Sequence, residues 1–279
     1  MKRRLKKDPT RTTLLRRKFV SEMNKRFRGL RRDIRHIIID TAVLGSTSPK
    51  PLKLNVGEWQ FLSDSAKVTA FQAWFKSQVD AGILEVEGVS ATPWTNKYVY
   101  SAYRKGTVRA YIDTRKGPGT KSADFLSGGQ SQFMSSAFAG PIAVSSLELL
   151  YTRTFSELKG VTAQMEQQMG RVLADGLVHG YSMEKVARNL SDAVDKMNRT
   201  RARLIARTEI IRAHAEGQLD GLEALGVSKV EKEVELSTAG DERVCATCEG
   251  LEGETYTIDE ARGVIPLHPL CRCSWIPVI

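Results

Sequence analysis

A chain of 279 residues can bury a substantial core, and 41% hydrophobic with 27% charged residues is an ordinary balance for a globular protein. No run approaches the roughly 18 apolar residues of a membrane helix, and no apolar signal segment follows the charged N-terminus. The expectation is a protein folded in a cytoplasm, with no membrane partner. The net charge of +10 is unevenly spread: residues 1–39 hold 15 Lys/Arg against 3 Asp/Glu, a net of +12, and the remaining 27 Lys/Arg and 29 Asp/Glu leave the body at −2.

The basic N-terminal segment carries an apolar stripe. Leu15, Phe19, Met23, Phe27, Leu30, Ile34 and Ile38 recur every three or four residues, the period of one helix face. Arg16, Arg17, Lys18, Lys25, Arg26, Arg28, Arg31, Arg32 and Arg35 occupy much of the rest. Residues 1–45 therefore read as a basic amphipathic arm. One face is expected to seat on a partner through Phe19, Phe27 and Ile34, and the other to meet polyanion. The simpler alternative is a surface helix packed on its own domain.

Residues 46–116 read as a helical region. A helix is predicted over 58–81, with Trp59, Leu62, Ala66, Ala70, Trp74 and Val79 near one face, and Pro93-Trp94 opens another. Residues 117–144 read as a linker or loop, because 11 of the 20 residues in 117–136 are Gly, Ser, Thr or Pro. Residues 145–225 are strongly helical. Val161, Met165, Met169, Val172 and Leu173 form a stripe that Gly180 ends, and Ser182 is placed to cap a shorter helix. A long helix follows, with Leu204, Ile211, Ala215, Leu219 and Leu222 on one face and Gly226 as its stop. Beyond Gly226 the period falls to two around Val230–Leu236, Thr255–Ile258 and Cys273–Val278, which predicts a small sheet. The fold class is α+β and predominantly helical.

All four cysteines, Cys245, Cys248, Cys271 and Cys273, lie in the last 35 residues, beside His268. Cys245-x2-Cys248, 19 residues, then His268-x2-Cys271-x-Cys273 is a spacing that brings soft ligands together at low loop-closure cost. Structural zinc is the expected cofactor, with Cys245, Cys248, His268 and Cys271 preferred and Cys273 as rival for the fourth place. Disulfides and reduced, metal-free thiols are the alternatives. Catalytic zinc is disfavoured: the deaminase order of H-x-E before P-C-x-x-C is absent, and so is H-E-x-x-H. Arg207-Thr208-Glu209 points in several directions around a helix and reads as a salt-bridge element tying helix to sheet rather than as a catalytic cluster.

Several pieces together resemble the phage Mu F-like head morphogenesis proteins. They are Ala206-Arg207-Thr208-Glu209-Ile210 in a long helix, Gly226-Val227 before a strand, Asp241-Glu242-Arg243-Val244-Cys245-Ala246-Thr247-Cys248, Leu251-Glu252-Gly253, and Pro266-Leu267-His268-Pro269-Leu270-Cys271-Arg272-Cys273. The resemblance runs over about residues 160–279; residues 145–279 are delimited as the Mu F-like domain, with its zinc module at 226–279. It implies a non-enzymatic minor capsid protein of a tailed phage, bound at the portal vertex inside the head and assisting head assembly and DNA packaging or delivery. The implied partners are the portal protein, a major capsid or scaffolding protein, and double-stranded phage DNA. The rival reading is a zinc-containing nucleic-acid-binding protein with no virion role.

Overall fold

The computed structural model describes residues 8–40, 64–87, 92–116, 129–226 and 234–278. The chain is mostly helical, with a small antiparallel sheet at its C-terminal end. Its helices are α1 (Thr13–Arg35), α2 (Asp64–Gly82), α3 (Asn96–Thr114), α4 (Gly129–Ala139), α5 (Pro141–Val178), α6 (Met183–Met197), α7 (Arg203–Ala224) and the short α8 (Ala246–Gly250) and α9 (Ile258–Ala261). A two-stranded ribbon pairs β1 (Val86–Glu87) with β2 (Thr92–Pro93). The C-terminal sheet runs in the order β4 (Thr255–Tyr256), β3 (Val234–Ser237), β5 (Ser274–Pro277).

These elements form two compact units. One comprises residues up to Phe19, Thr95–Thr154 and Leu204 onward; the other comprises Val20–Trp94 and Phe155–Arg203.

In the first unit α3 and α7 meet backbone to backbone. A Cβ on Gly106 would lie less than 3.0 Å from the His214 carbonyl oxygen, and one on Gly217 equally close to that of Tyr103. Ala102, Gly106 and Ala110 repeat every four residues on α3, and Ala213, Gly217 and Gly221 do so on α7. Small residues at i±4 remove the ridges that would otherwise hold two helices about 8–10 Å apart. Tyr103, just beside this crossing, donates its hydroxyl to Asp220 Oδ2 at 2.7 Å. Burial and that carboxylate together hold the phenol well above its ordinary range.

The sheet rests on α7 through the apolar cluster of Ile211, Ala215, Leu219, Leu222, Val234, Leu236 and Trp275. Gln218 extends the hydrogen bonding from helix to strand: its Nε2 donates to the Trp275 carbonyl at 2.9 Å and its Oε1 accepts from the Trp275 N–H at 3.2 Å. β3 pairs Leu236 with Trp275 and Val234 with both Tyr256 and Pro277. Arg262 clamps the connection after α9 to α7, reaching Asp220 at 2.7 Å and Glu223 at 2.5 Å.

Residues 129–139, expected to be part of a linker, are helix α4. Phe133 stacks on Tyr111 with ring centroids 5.2 Å apart, and Phe138 meets Tyr103 edge-on at 5.6 Å. Aromatic burial outweighs the weak helix propensity of the surrounding Gly and Ser. Residues 117–128 of that expected linker lie outside the described residues, as do 58–63 of the first predicted helix and Val230 and Lys232 of the first predicted strand.

In the second unit α6 starts at Ser182, whose side chain caps it by accepting from the Lys185 N–H. Gly180 takes φ +61 between α5 and α6, a conformation that favours glycine. Met165, Met169, Leu173, Leu190 and Val194 are buried core residues. On the α1 side, Asn198 donates to Asn24 at 2.9 Å and Arg31 pairs with Asp195 at 2.6 Å. Trp94 donates its indole N–H to the Ile83 carbonyl at 2.9 Å and lies under the Arg26 guanidinium.

Candidate metal centre

The cysteine/histidine cluster is assembled from two short segments. Cys245 is the N-cap of α8, its Sγ accepting from the Cys248 N–H at 3.4 Å. The one-turn helix between them sends both sulfurs to the same side. The second segment, Leu267 to Cys273, doubles back through a turn in which the Cys271 N–H donates to the His268 carbonyl at 3.1 Å. Leu270 takes φ +69 within that turn, a left-handed conformation that costs a non-glycine residue roughly 1 kcal/mol or more. Such strain persists where the surroundings fix the backbone, as they do between two ligand candidates.

Cys248 is the centre of the cluster. Its Sγ lies 3.0 Å from His268 Nε2, and Cys245 Sγ lies 3.1 Å from the same nitrogen. Cys245, Cys248 and His268 form one group whose ligand atoms lie within 4.8 Å of one another, and Cys248, Cys271 and Cys273 form a second. All five candidates read from the sequence are thus brought together, with a cavity of about 20 Å³ among them. That is room for about one small occupant. The cluster could hold a metal ion.

The surrounding hydrogen bonds prepare ligand atoms. His268 Nδ1 lies 2.7 Å from the Pro269 carbonyl, which fixes the tautomer with Nε2 as the free lone pair facing the sulfurs. The Cys248 N–H pulls the Cys245 thiol below its ordinary range, and burial pushes Cys248 up to about 12. Cys271 is pulled down to about 5, first by the Cys273 thiol and then by the backbone N–H groups of Cys273 and Leu267. Cys273, the donor in that contact, is driven far up. Thiols this close cannot all ionise without a cation, and a divalent ion reverses that restriction.

Arg272 anchors the two segments. It grips Asp241 with both guanidinium nitrogens, at 2.6 and 2.5 Å, and holds that carboxyl well below the usual carboxylate range. Asp8, hydrogen-bonded to Thr10 and Thr13, also pairs with buried Arg16.

Residues 167–276 match the model of the family described as Phage Mu protein F like protein. This segment is a phage Mu F-like domain. It begins within α5, ends in β5 and includes every member of the cysteine/histidine cluster. No curated protein and no solved structure matches the chain.

Within the Mu F-like domain, Glu209 is buried and pairs with Arg153 of α5 at 3.4 Å and Arg212 at 3.8 Å. The Arg-Thr-Glu triplet therefore ties helix to helix, not helix to sheet: Glu209 projects toward α5, away from the face that Gln218 turns to β5.

The candidates on α1 fall into three groups. Phe19, Phe27 and Ile34 are fully buried within the chain, with Phe19 stacked on Tyr98 at 4.7 Å, so the stripe is core in the folded protein. Three cations are committed to carboxylates: Arg16 to Asp8, Arg26 to Glu22 and Glu85, and Arg31 to Asp195. Arg17, Lys18, Lys25, Arg28, Arg32 and Arg35 are exposed. Periodicity located the stripe but could not say what covers it. The Asp8–Arg16 and Asp241–Arg272 pairs were not anticipated; partners 8 and 31 residues apart leave no local pattern to read.

Proposed function

We propose that this chain is a minor head protein of a tailed phage. It acts at the portal vertex inside the head and assists head assembly and DNA packaging or delivery. Its partners are the portal protein, a major capsid or scaffolding protein, and the double-stranded genome. The observation that carries this reading is the Mu F-like domain, whose matched span takes in the whole cysteine/histidine cluster.

Within that domain we assign a structural zinc ion to Cys245, Cys248, His268 and Cys271. The thiolate-rich donor set with one imidazole suits zinc. Backbone N–H groups are directed at the sulfurs of Cys245 and Cys271, which favours their thiolate forms. Cys273, grouped with Cys248 and Cys271, is the rival for the fourth place. Four protein ligands close the coordination shell, so the role is to fix the fold rather than to catalyse. Bound zinc would supply a cross-link between α8 and the 267–273 segment.

Two measurements test this. Purified heads, probed by quantitative immunoblot and by cross-linking, should contain the protein joined to the portal subunit; its absence from heads overturns the head reading. Elemental analysis of natively purified protein should give one zinc per chain, and well under one zinc with reduced thiols overturns the zinc assignment.

A further inference from the structure

The second unit holds a groove of about 570 Å³ between α1 and α6, and its walls are arginine-rich. Arg28, Arg32 and Arg35 line it from α1, and Arg188 faces them from α6. Arg31 also reaches the groove but is held by Asp195. Lys25, Arg28, Arg32 and Arg35 follow at intervals of three, four and three residues. They therefore form one row, about 15 Å long at 1.5 Å per residue, on the side of α1 opposite its buried stripe. Arg28, Arg35 and Arg188 take part in none of the ion pairs among the described residues, and the Arg32 side chain is 81% exposed, paired with its neighbour Asp33 at 3.6 Å. The opposing charges in the groove are Glu184 and Asp192.

The geometry points to this groove as a binding surface for the phosphate backbone of double-stranded DNA, with Arg28, Arg32, Arg35 and Arg188 as the contacts. Two elements converge on a concavity, so the cations surround a strand rather than fanning out into solvent. Duplex DNA presents one charge per roughly 1.7 Å of its axis, and a row of guanidinium groups meets several phosphates at once. A protein partner would require buried apolar or aromatic anchors. The groove offers only Ala187, itself buried, and half-buried Ile39, whereas phosphate contact needs neither. Binding should be independent of sequence, because phosphate carries no base information. The inference rests on the head-protein reading only in its choice of duplex DNA as the polyanion.

The test uses the full purified chain and a fluorescent 30-base-pair duplex, with affinity measured across a salt series. The variant Arg28→Gln/Arg32→Gln/Arg35→Gln/Arg188→Gln removes four contacts. The slope of log K against log salt should then flatten by about 0.9 × 4 ≈ 4, and Arg188→Gln alone should flatten it by about 1. A charge-matched control, Arg104→Gln/Lys105→Gln/Lys196→Gln/Arg199→Gln, should leave the slope within about one of the parent. The inference is overturned by absence of binding at low salt, by an unchanged slope in the fourfold variant, by an equal loss in the control, or by polyglutamate competing as well as DNA does. Failure here leaves incorporation into heads untouched, since that is read from purified heads; failure to enter heads leaves the DNA measurement standing.

Discussion

The α3–α7 crossing and the C-terminal module are held together by opposite means. At the crossing, two long helices approach until Gly106 and Gly217 touch backbone, and Ala102, Ala110, Ala213 and Gly221 flank the contact. The stabilisation is dispersion and burial spread over many atoms. The module has strands of two to four residues and helices of four or five. Elements so short bury too little apolar area to fix themselves, which is where metals and ion pairs substitute for a core. Beyond the apolar cluster it shares with α7, its order depends on a few point contacts: the cysteine/histidine cluster, Arg272 on Asp241, and Arg262 on α7. The crossing should therefore fail through volume, and the module through loss of single functional groups.

The largest effect is expected at the cluster centre. Cys248→Ser removes the sulfur common to both ligand groups, and apparent binding free energies of small zinc modules are about 10–16 kcal/mol. The variant should lose zinc, and the segment after β3 should become sensitive to protease. Far-UV circular dichroism should stay close to the parent, because α1, α3, α5 and α7 do not depend on the metal. Collapse of the helical signal together with the metal would erase the contrast between the two regions.

Gly217→Ala comes next. The added methyl would overlap the Tyr103 backbone carbonyl, which belongs to a helix and cannot step aside. A loss of about 3 kcal/mol is expected in urea unfolding, at the upper end of ordinary overpacking. Gly160→Ala, on α5 where nothing lies within 4 Å, should instead be neutral or stabilise by up to about 1 kcal/mol. Equal responses at the two glycines would show that the crossing is looser than its geometry.

Arg262→Ala should cost about 2 kcal/mol, less than the roughly 3–5 of a fully buried pair because the Arg262 side chain is 31% exposed. The loss comes from Asp220, whose side chain is only 4% exposed and would keep Tyr103 alone as partner. Zinc content should be unaffected, which separates this contact from the cluster.

The smallest effect, read over a single pH unit, concerns His214, fully buried on α7, with no hydrogen-bond partner for Nδ1 among the described residues. Burial pushes its pKa down to about 3, aided by Arg109, Lys105 and Arg16 and opposed by Asp8. Below its ordinary pKa of 6.5 the unfolded chain takes up a proton that the folded chain refuses. Stability should therefore fall as pH drops from about 6.5 toward 3, by up to about 1.4 kcal/mol per unit. In His214→Gln that component should vanish, so the wild-type and variant stabilities should converge on acidification between pH 6.5 and 5.5. Parallel pH profiles would mean that the imidazole is reached by water.

Much of the fold was legible because its signals are local. Stripes at intervals of three and four set α1, α5, α6 and α7; Ser182, Gly180 and Gly226 marked their ends; and a period of two marked the sheet. The five metal candidates were legible too, since ligand spacing is written in the sequence and donor chemistry belongs to the residue type. The Gly/Ser-rich run at 129–139 misled because composition reports propensity, whereas Phe133 and Phe138 gain their burial from Tyr111 and Tyr103.

What tertiary structure alone decided is which surfaces are used up. The α1 stripe could have faced a partner or the chain itself, and only packing put Phe19, Phe27 and Ile34 inside. Of the cations on the same helix, the sequence could not tell Arg16, Arg26 and Arg31, held by Asp8, Glu85 and Asp195, from Arg28 and Arg35, which line an open groove with Arg188. Periodicity fixes the direction of a side chain around its own helix. The energy of that side chain depends on what arrives opposite it, and those partners come from residues as many as 174 positions away.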